Sequence, residues 1–210
     1  MPGKRELERA ALRRASGWLV DAMVRRRVSP FALTYSAFGL AAIAASMFAL
    51  HRTWAWLVPL GGLVYLASGL LDALDGEVAR RVGRATSRGA FEDSVLDKFG
   101  EAAVSVGLLL GPAGGLEALL FATGSLLVSY ARARAESLGV ELAGVGVAER
   151  AERTVGLFVG TLIYPFWDIG LSLALAFVGV AAYATAAHRF VVASRALAVR
   201  DAQSLGAGRR

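Results

Sequence analysis

Apolar residues in this chain fall into long runs divided by short polar joints. Each run approaches the ~20 residues that a bilayer core demands of a helix. The pattern predicts six spanning helices: Pro30–Leu50, Thr53–Asp75, Gly89–Gly111, Leu116–Glu136, Ala151–Phe166 and Ile169–Leu197. Pro30 suits a helix start, where its missing N–H costs nothing. The joints at His51–Arg52, Pro112–Gly115 and Pro165–Asp168 are short, whereas those at Arg80–Arg88 and Leu138–Glu149 are longer and charged. Ahead of the first run, Leu7, Ala11, Trp18 and Ala22 share one side of a helix otherwise rich in Arg and Glu. That is the pattern of an amphipathic helix lying in the headgroup plane. The expected architecture is an all-α membrane protein. It has a juxtamembrane helix over residues 1–28, a six-helix domain over 29–199 and a polar tail over 200–210.

Composition supports one membrane domain rather than a soluble one. Of 210 residues, 56% are hydrophobic, the mean hydropathy is +0.52, and no internal repeat divides the chain. Cysteine is missing, which excludes disulfides, thiolate metal sites and cysteine nucleophiles. The first 28 residues are too charged to hold the apolar stretch of a cleavable leader. Charge then orients the bundle. Of the 23 Lys and Arg residues, 22 fall at the N-terminus, in the two charged joints or at the C-terminal end; only Arg52 lies opposite. The positive-inside rule therefore places both termini on the cytoplasmic side of a multi-pass cell-membrane protein. The same basic face accounts for a pI near 10.3. Its partners are anionic lipid and anionic substrates rather than nucleic acid, because the basic residues adjoin spanning helices and form no base-reading motif.

Acidic side chains at a membrane's edge are costly, and four of them, Asp72, Asp75, Asp93 and Asp97, stand there. Positions three and four apart share a helix face, so each pair points one way, and the two helices are consecutive. Four converging carboxylates need cations between them. Hard oxygen donors suit Mg²⁺, with Mn²⁺ next, and a pair of ions would clamp a phosphoryl group. Spacing alone also permits a structural ion-pair network with Arg80, Arg84, Arg88 and Lys98, or an ion path.

The order of residues is more specific than the spacing. From Asp72 the chain reads D-A-L-D-G-E-V-A-R, then eight residues, then G-A-F-E-D-S-V-L-D ending at Asp97. This resembles the signature of the CDP-alcohol phosphotransferase family, D-x2-D-G-x2-A-R-x8-G-x3-D-x3-D, with all eight fixed positions met over 26 residues. The resemblance implies six membrane helices, a juxtamembrane N-terminal helix and a homodimer. Gly156 and Gly160 are spaced to pack helices in such an assembly. It also implies displacement at the β-phosphorus of a CDP-linked lipid by an alcohol, with CMP leaving. Asp72, Asp75, Asp93 and Asp97 would bind two Mg²⁺ ions, and Asp97 would also take the acceptor's proton. Gly76 and Ala79 would let the cytidine diphosphate lie against the helix, and Arg80 would contact it. Thr86 and the segment Phe31, Ala32, Leu33, Thr34 match further nucleotide-contacting positions, with Phe31 where a polar residue is usual.

The acceptor is marked by two more stretches. S-Y-A-R-A-R-A-E from Ser129 and A-E-R-A-E-R from Ala148 are similar to the inositol-phosphate-using branch of the family. There the stretches read close to S-Y-x-K-A-R-A-E and E-R-P-E-R, so Arg132 replaces a Lys and Ala151 a Pro. With Arg189 of the last helix, the resemblance gathers Arg132, Arg153 and Arg189 around the phosphate of a phosphorylated polyol. Inositol 1-phosphate is the expected acceptor; glycerol 3-phosphate is the alternative. Glu149 and Glu152 are expected to orient the arginines.

Overall fold

The computed structural model describes residues 17–113 and 115–207, and every regular element among them is a helix. Helical residues 17–25 (α1) lead into α2 (Pro30–Ala49), α3 (Leu57–Arg81) and α4 (Ser87–Leu110). Then come α5 (Leu116–Ser137), α6 (Arg150–Ile163) and α7 (Ile169–Ala207). Each of the six apolar runs thus has its helix. Three of them, α2, α3 and α7, are long and apolar enough to cross a membrane by length and composition. The 14 residues of α6 span only ~21 Å at 1.5 Å per residue, well under the hydrocarbon thickness.

Two helix ends and one helix face depart most from the sequence reading, each for a local reason. α3 continues to Arg81 rather than stopping at Asp75, and Arg80 and Arg81 in its last turn complement the negative end of its dipole. Residues 200–207, expected as a polar tail, prolong α7 instead, since nothing in that stretch breaks a helix until its glycines. α1 also turns a different side inward. Val20, with Leu19, Met23 and Val24, packs on Leu33, Leu74 and Val78, whereas Trp18 is exposed. Leu7 and Ala11 lie outside the described residues.

The core explains how the bundle holds its site. α2 packs against both α3 and α4, α7 against α5 and α6, and α6 against α3; α3 and α4 scarcely touch one another. The main cluster runs through Phe48, Tyr65, Leu108, Phe121, Leu157 and Leu175. Outside it, Leu63, Leu70, Leu110, Leu119 and Phe177 are exposed, an apolar surface that suits lipid and would be a liability in water. Small residues set the closest approaches, as in membrane bundles generally. Gly156 and Gly160, expected to serve a dimer, are used within the chain: a Cβ on them would meet Val178 and Ala174 of α7 at 2.5 and 2.8 Å. A Cβ on Gly107 would lie 2.3 Å from the Ala45 carbonyl oxygen. Because that obstacle is backbone, Gly107→Leu is expected to force α2 and α4 apart and cost about 3 kcal/mol or more. A detergent-solubilised variant should show this as a lower thermal midpoint; an unchanged midpoint would mean the helices adjust freely.

Candidate active site

A five-residue link, 82–86, reverses the chain between α3 and α4. Gly83 takes the left-handed backbone (φ 65°) that the reversal requires. Thr86 then caps α4, its hydroxyl accepting from the Gly89 amide at 3.1 Å. The result sets the final turns of α3 opposite the first turns of α4 across the gap beside α2. Asp72 and Asp75 face that gap from one wall, Asp93 and Asp97 from the other. The carboxylates feel one another: Asp72 interacts electrostatically with Asp93 and Asp97, and Asp75 with Asp72 and Asp93.

Each aspartate is held differently. Asp75 is buried and accepts a 2.5 Å hydrogen bond from the Thr34 hydroxyl. Asp97 pairs with Lys98 Nζ at 2.9 Å. Arg150, at the start of α6, reaches between the walls: its Nη1 donates to Asp72 Oδ2 and its Nη2 stands 2.5 Å from Asp97 Oδ1. The second contact is an ion pair without hydrogen-bond geometry, so Asp97 Oδ1 keeps no hydrogen-bond partner among the described residues. Asp93 Oδ1 is buried in the same condition. Among the described residues no three acidic or histidine groups are arranged to hold a metal as they stand. The donor set nevertheless fits one. It offers hard carboxylate oxygens, two of them without hydrogen bonds, and a guanidinium already occupies the place of a cation.

Besides a narrow crevice beside Asp72 and Asp97, two larger cavities open onto the aspartates. The smaller, about 210 Å³, is lined by Phe31, Thr34, Asp75, Gly76, Ala79, Arg80, Thr86 and Asp93, among others. Six of the eight positions that the family resemblance assigns to the nucleotide therefore line one cavity. The other two do not: Ala32 faces outward, and Leu33 is buried in the α1–α3 cluster. A helix sends adjacent residues in different directions, so a four-residue run cannot all line one wall. Arg80 reaches the cavity from a 2.8 Å pair with Glu77, and its guanidinium would touch a Cβ placed on Gly76, at 3.4 Å.

The larger cavity, about 730 Å³, shares Asp93 with the first and adds Asp72, Asp97, Lys98 and Arg150. Arg132, Arg153 and Arg189 all line it, brought together from three helices. None stands alone. Arg132 pairs with Glu136 at 2.7 Å. Arg153, 1% exposed, donates Nε and Nη2 to Glu101 at 3.1 and 2.8 Å and Nη1 to the Ala148 carbonyl at 2.9 Å. Arg189 donates to the carbonyls of Val145 and Val128 at 2.8 Å each and to Glu149 at 3.2 Å. Glu149 thus orients an arginine as expected.

Sequence reasoning missed two charged neighbours, Arg150 and Glu101. Arg150 enters the sequence reading only as one of the basic residues on the cytoplasmic side, although it lies one turn before Arg153 on the same helix face. Glu101 extends the acidic face of Asp93 and Asp97 by one more turn, a spacing that could have drawn notice. Lys98 joins the two, standing 2.5 Å from Glu101 and 2.9 Å from Asp97. An ionic chain therefore runs from Asp72 through Arg150, Asp97, Lys98 and Glu101 to Arg153.

Comparison with known proteins agrees with this geometry. The chain is 46% identical over 124 residues to an archaetidylinositol phosphate synthase of Methanothermobacter thermautotrophicus, a match covering 57% of this chain and 63% of that one. So the chain spans under two thirds of that relative's length. It is 32% identical to a phosphatidylinositol phosphate synthase of Cutibacterium acnes, over 86% of this chain and 96% of that one. A Mycobacterium tuberculosis phosphatidylinositol phosphate synthase crystallised with CDP-DAG superposes with a TM-score of 0.73 at 26% identity, covering 86% and 94% of the two chains. The same mycobacterial protein in complex with manganese and citrate gives a TM-score of 0.72 at 27% identity, covering 83% and 87%. Residues 27–188 match the model of the CDP-alcohol phosphatidyltransferases, and the chain belongs to that family.

Proposed function

We propose that the protein transfers a phosphatidyl-type group from a CDP-linked lipid to inositol 1-phosphate, releasing CMP. One observation carries the reading: two cavities, one shaped by small residues and the other lined by three arginines, meet at the shared carboxylate Asp93. The cytidine diphosphate would lie along Gly76 and Ala79, with the Arg80 guanidinium that now covers Gly76 turning from Glu77 to its phosphate oxygens. Thr34 fixes the Asp75 carboxylate through its hydrogen bond. Asp72, Asp75, Asp93 and Asp97 would hold a divalent cation, for which Mg²⁺ suits the donors and two ions could share the set; when bound it would neutralise the diphosphate's developing charge. The acceptor's phosphate would sit among Arg132, Arg153 and Arg189, which line the larger cavity from three helices. Its hydroxyl then lies toward Asp97, which takes the proton as the new P–O bond forms and the bond to CMP breaks. The absence of cysteine and this direct geometry call for no covalent enzyme intermediate.

We read α2–α7 as six membrane-crossing helices with both termini and the site cytoplasmic. α1 would lie in the headgroup plane against the end of α3, to which Asp21 and Arg81 tie it. A homodimer follows from family likeness and must use a face other than Gly156 and Gly160.

The test is CMP release by purified protein with Mg²⁺, crossing ester and ether CDP-lipids with phosphorylated alcohols. Release is expected with inositol 1-phosphate. Release with glycerol 3-phosphate alone would reassign the acceptor, and release with none would overturn the reading.

A further inference from the structure

Arg150 and Arg153 stand one turn apart at the start of α6 and are held in contrasting ways. All three nitrogens of Arg153 donate hydrogen bonds to protein acceptors. Arg150 has a hydrogen bond to Asp72 and an ion pair to Asp97, while its buried Nε has no partner among the described residues. It is also the first residue of its helix. The unpaired amides there carry partial positive charge, so a cation at that end is disfavoured. The negative charge of Asp72 and Asp97 is thus what holds Arg150 in place. Once that charge is neutralised, the local field turns against it. Its side chain is 25% exposed, and it already lines the arginine-rich cavity, so it has somewhere to go.

We infer that Arg150 is an internal counter-cation: it holds the aspartates together without metal and is displaced by metal into the acceptor cavity. The inference rests on the metal and acceptor reading given above. It makes metal and guanidinium competitors for one seat, and it makes metal loading complete the acceptor's phosphate site. By linkage, the acceptor's phosphate in turn favours the metal-loaded state.

The measurement is Mn²⁺ affinity, read by electron paramagnetic resonance of the free ion on detergent-purified protein without substrate. Arg150→Gln, of similar reach and no charge, is expected to bind Mn²⁺ roughly tenfold or more tightly than wild type, the scale of one lost charge-assisted bond. Arg132→Gln removes the same charge from the same cavity, but its partner is Glu136; its Mn²⁺ affinity should stay at the wild-type value. Equal tightening in both variants would reduce the effect to net charge and overturn the inference, as would unchanged or weaker binding in Arg150→Gln. Arg150→Lys keeps the charge without the two-pronged fork and should fall between. Should the Gln variant not fold, wild-type affinity in the Lys variant would serve as the overturning result. Wild-type protein that binds no Mn²⁺ removable by Asp93→Asn would defeat the metal reading itself, and this inference with it. For the second half, the KM for inositol 1-phosphate should rise at saturating metal in Arg150→Gln while that for the CDP-lipid holds. An unchanged acceptor KM would leave Arg150 no place in the acceptor cavity.

Discussion

Asp97→Asn is expected to lower CMP release from CDP-diacylglycerol by about 10³-fold or more, since on the proposed reading it removes a proton acceptor and a metal ligand together. Asparagine is nearly isosteric with aspartate, so the change removes charge and leaves packing almost intact. Arg150 keeps its bond to Asp72, and Lys98 keeps Glu101. Asp97 does not line the smaller cavity, whereas Asp75 and Asp93 do. Binding of the CDP-lipid should therefore persist in Asp97→Asn and weaken in Asp93→Asn, which touches both cavities. Turnover within about tenfold of wild type would remove Asp97 from the chemistry, because general-base catalysis alone contributes at least about 10²-fold.

The carboxylate cluster was legible before any coordinates because helical spacing and chain proximity suffice to place it. Two residues three apart on one helix and two four apart on the next share faces whatever the bundle around them does. Its setting was not legible. Nothing in the sequence states that α3 and α4 both lean on α2 and leave a gap between them, since that depends on where glycines such as Gly107 let backbones close. Helix ends were displaced where polar residues were read as joints: the stretch from Gly76 to Arg81 is charged enough to resemble a loop, yet continues α3.

The arginines show a subtler limit. Their convergence on one cavity followed from likeness to a family, and the structure gathers them. Their partners did not follow, because Glu101 is 52 positions from Arg153 and Glu149 is 40 from Arg189. Pairing across such distances is decided by packing, not by local pattern. The same holds for Ala32 and Leu33, where matching a run of positions could not say which of them line the cavity.

Burial of Arg153 leads to the other large expectation. Glu101→Leu removes the carboxylate that receives its Nε and Nη2, and leaves a guanidinium 1% exposed without its counter-charge. Breaking one half of a buried ion pair typically costs 3–5 kcal/mol, and a loss of about that size is expected here as a lower thermal midpoint. Replacing both halves by apolar residues of similar volume is often neutral, because two desolvation penalties vanish along with the attraction. The double variant Glu101→Leu, Arg153→Met should therefore recover most of the lost stability, with Lys98 still paired to Asp97. It should not recover function. If Arg153 binds the acceptor's phosphate, the double variant loses charge-assisted bonds worth roughly 2–3 kcal/mol, raising the acceptor KM by about 30- to 150-fold with little change for the CDP-lipid. A stable double variant with a wild-type acceptor KM would make the pair a structural brace alone. The phosphate site would then shrink to Arg132, the buried Arg189 and whatever Arg150 adds.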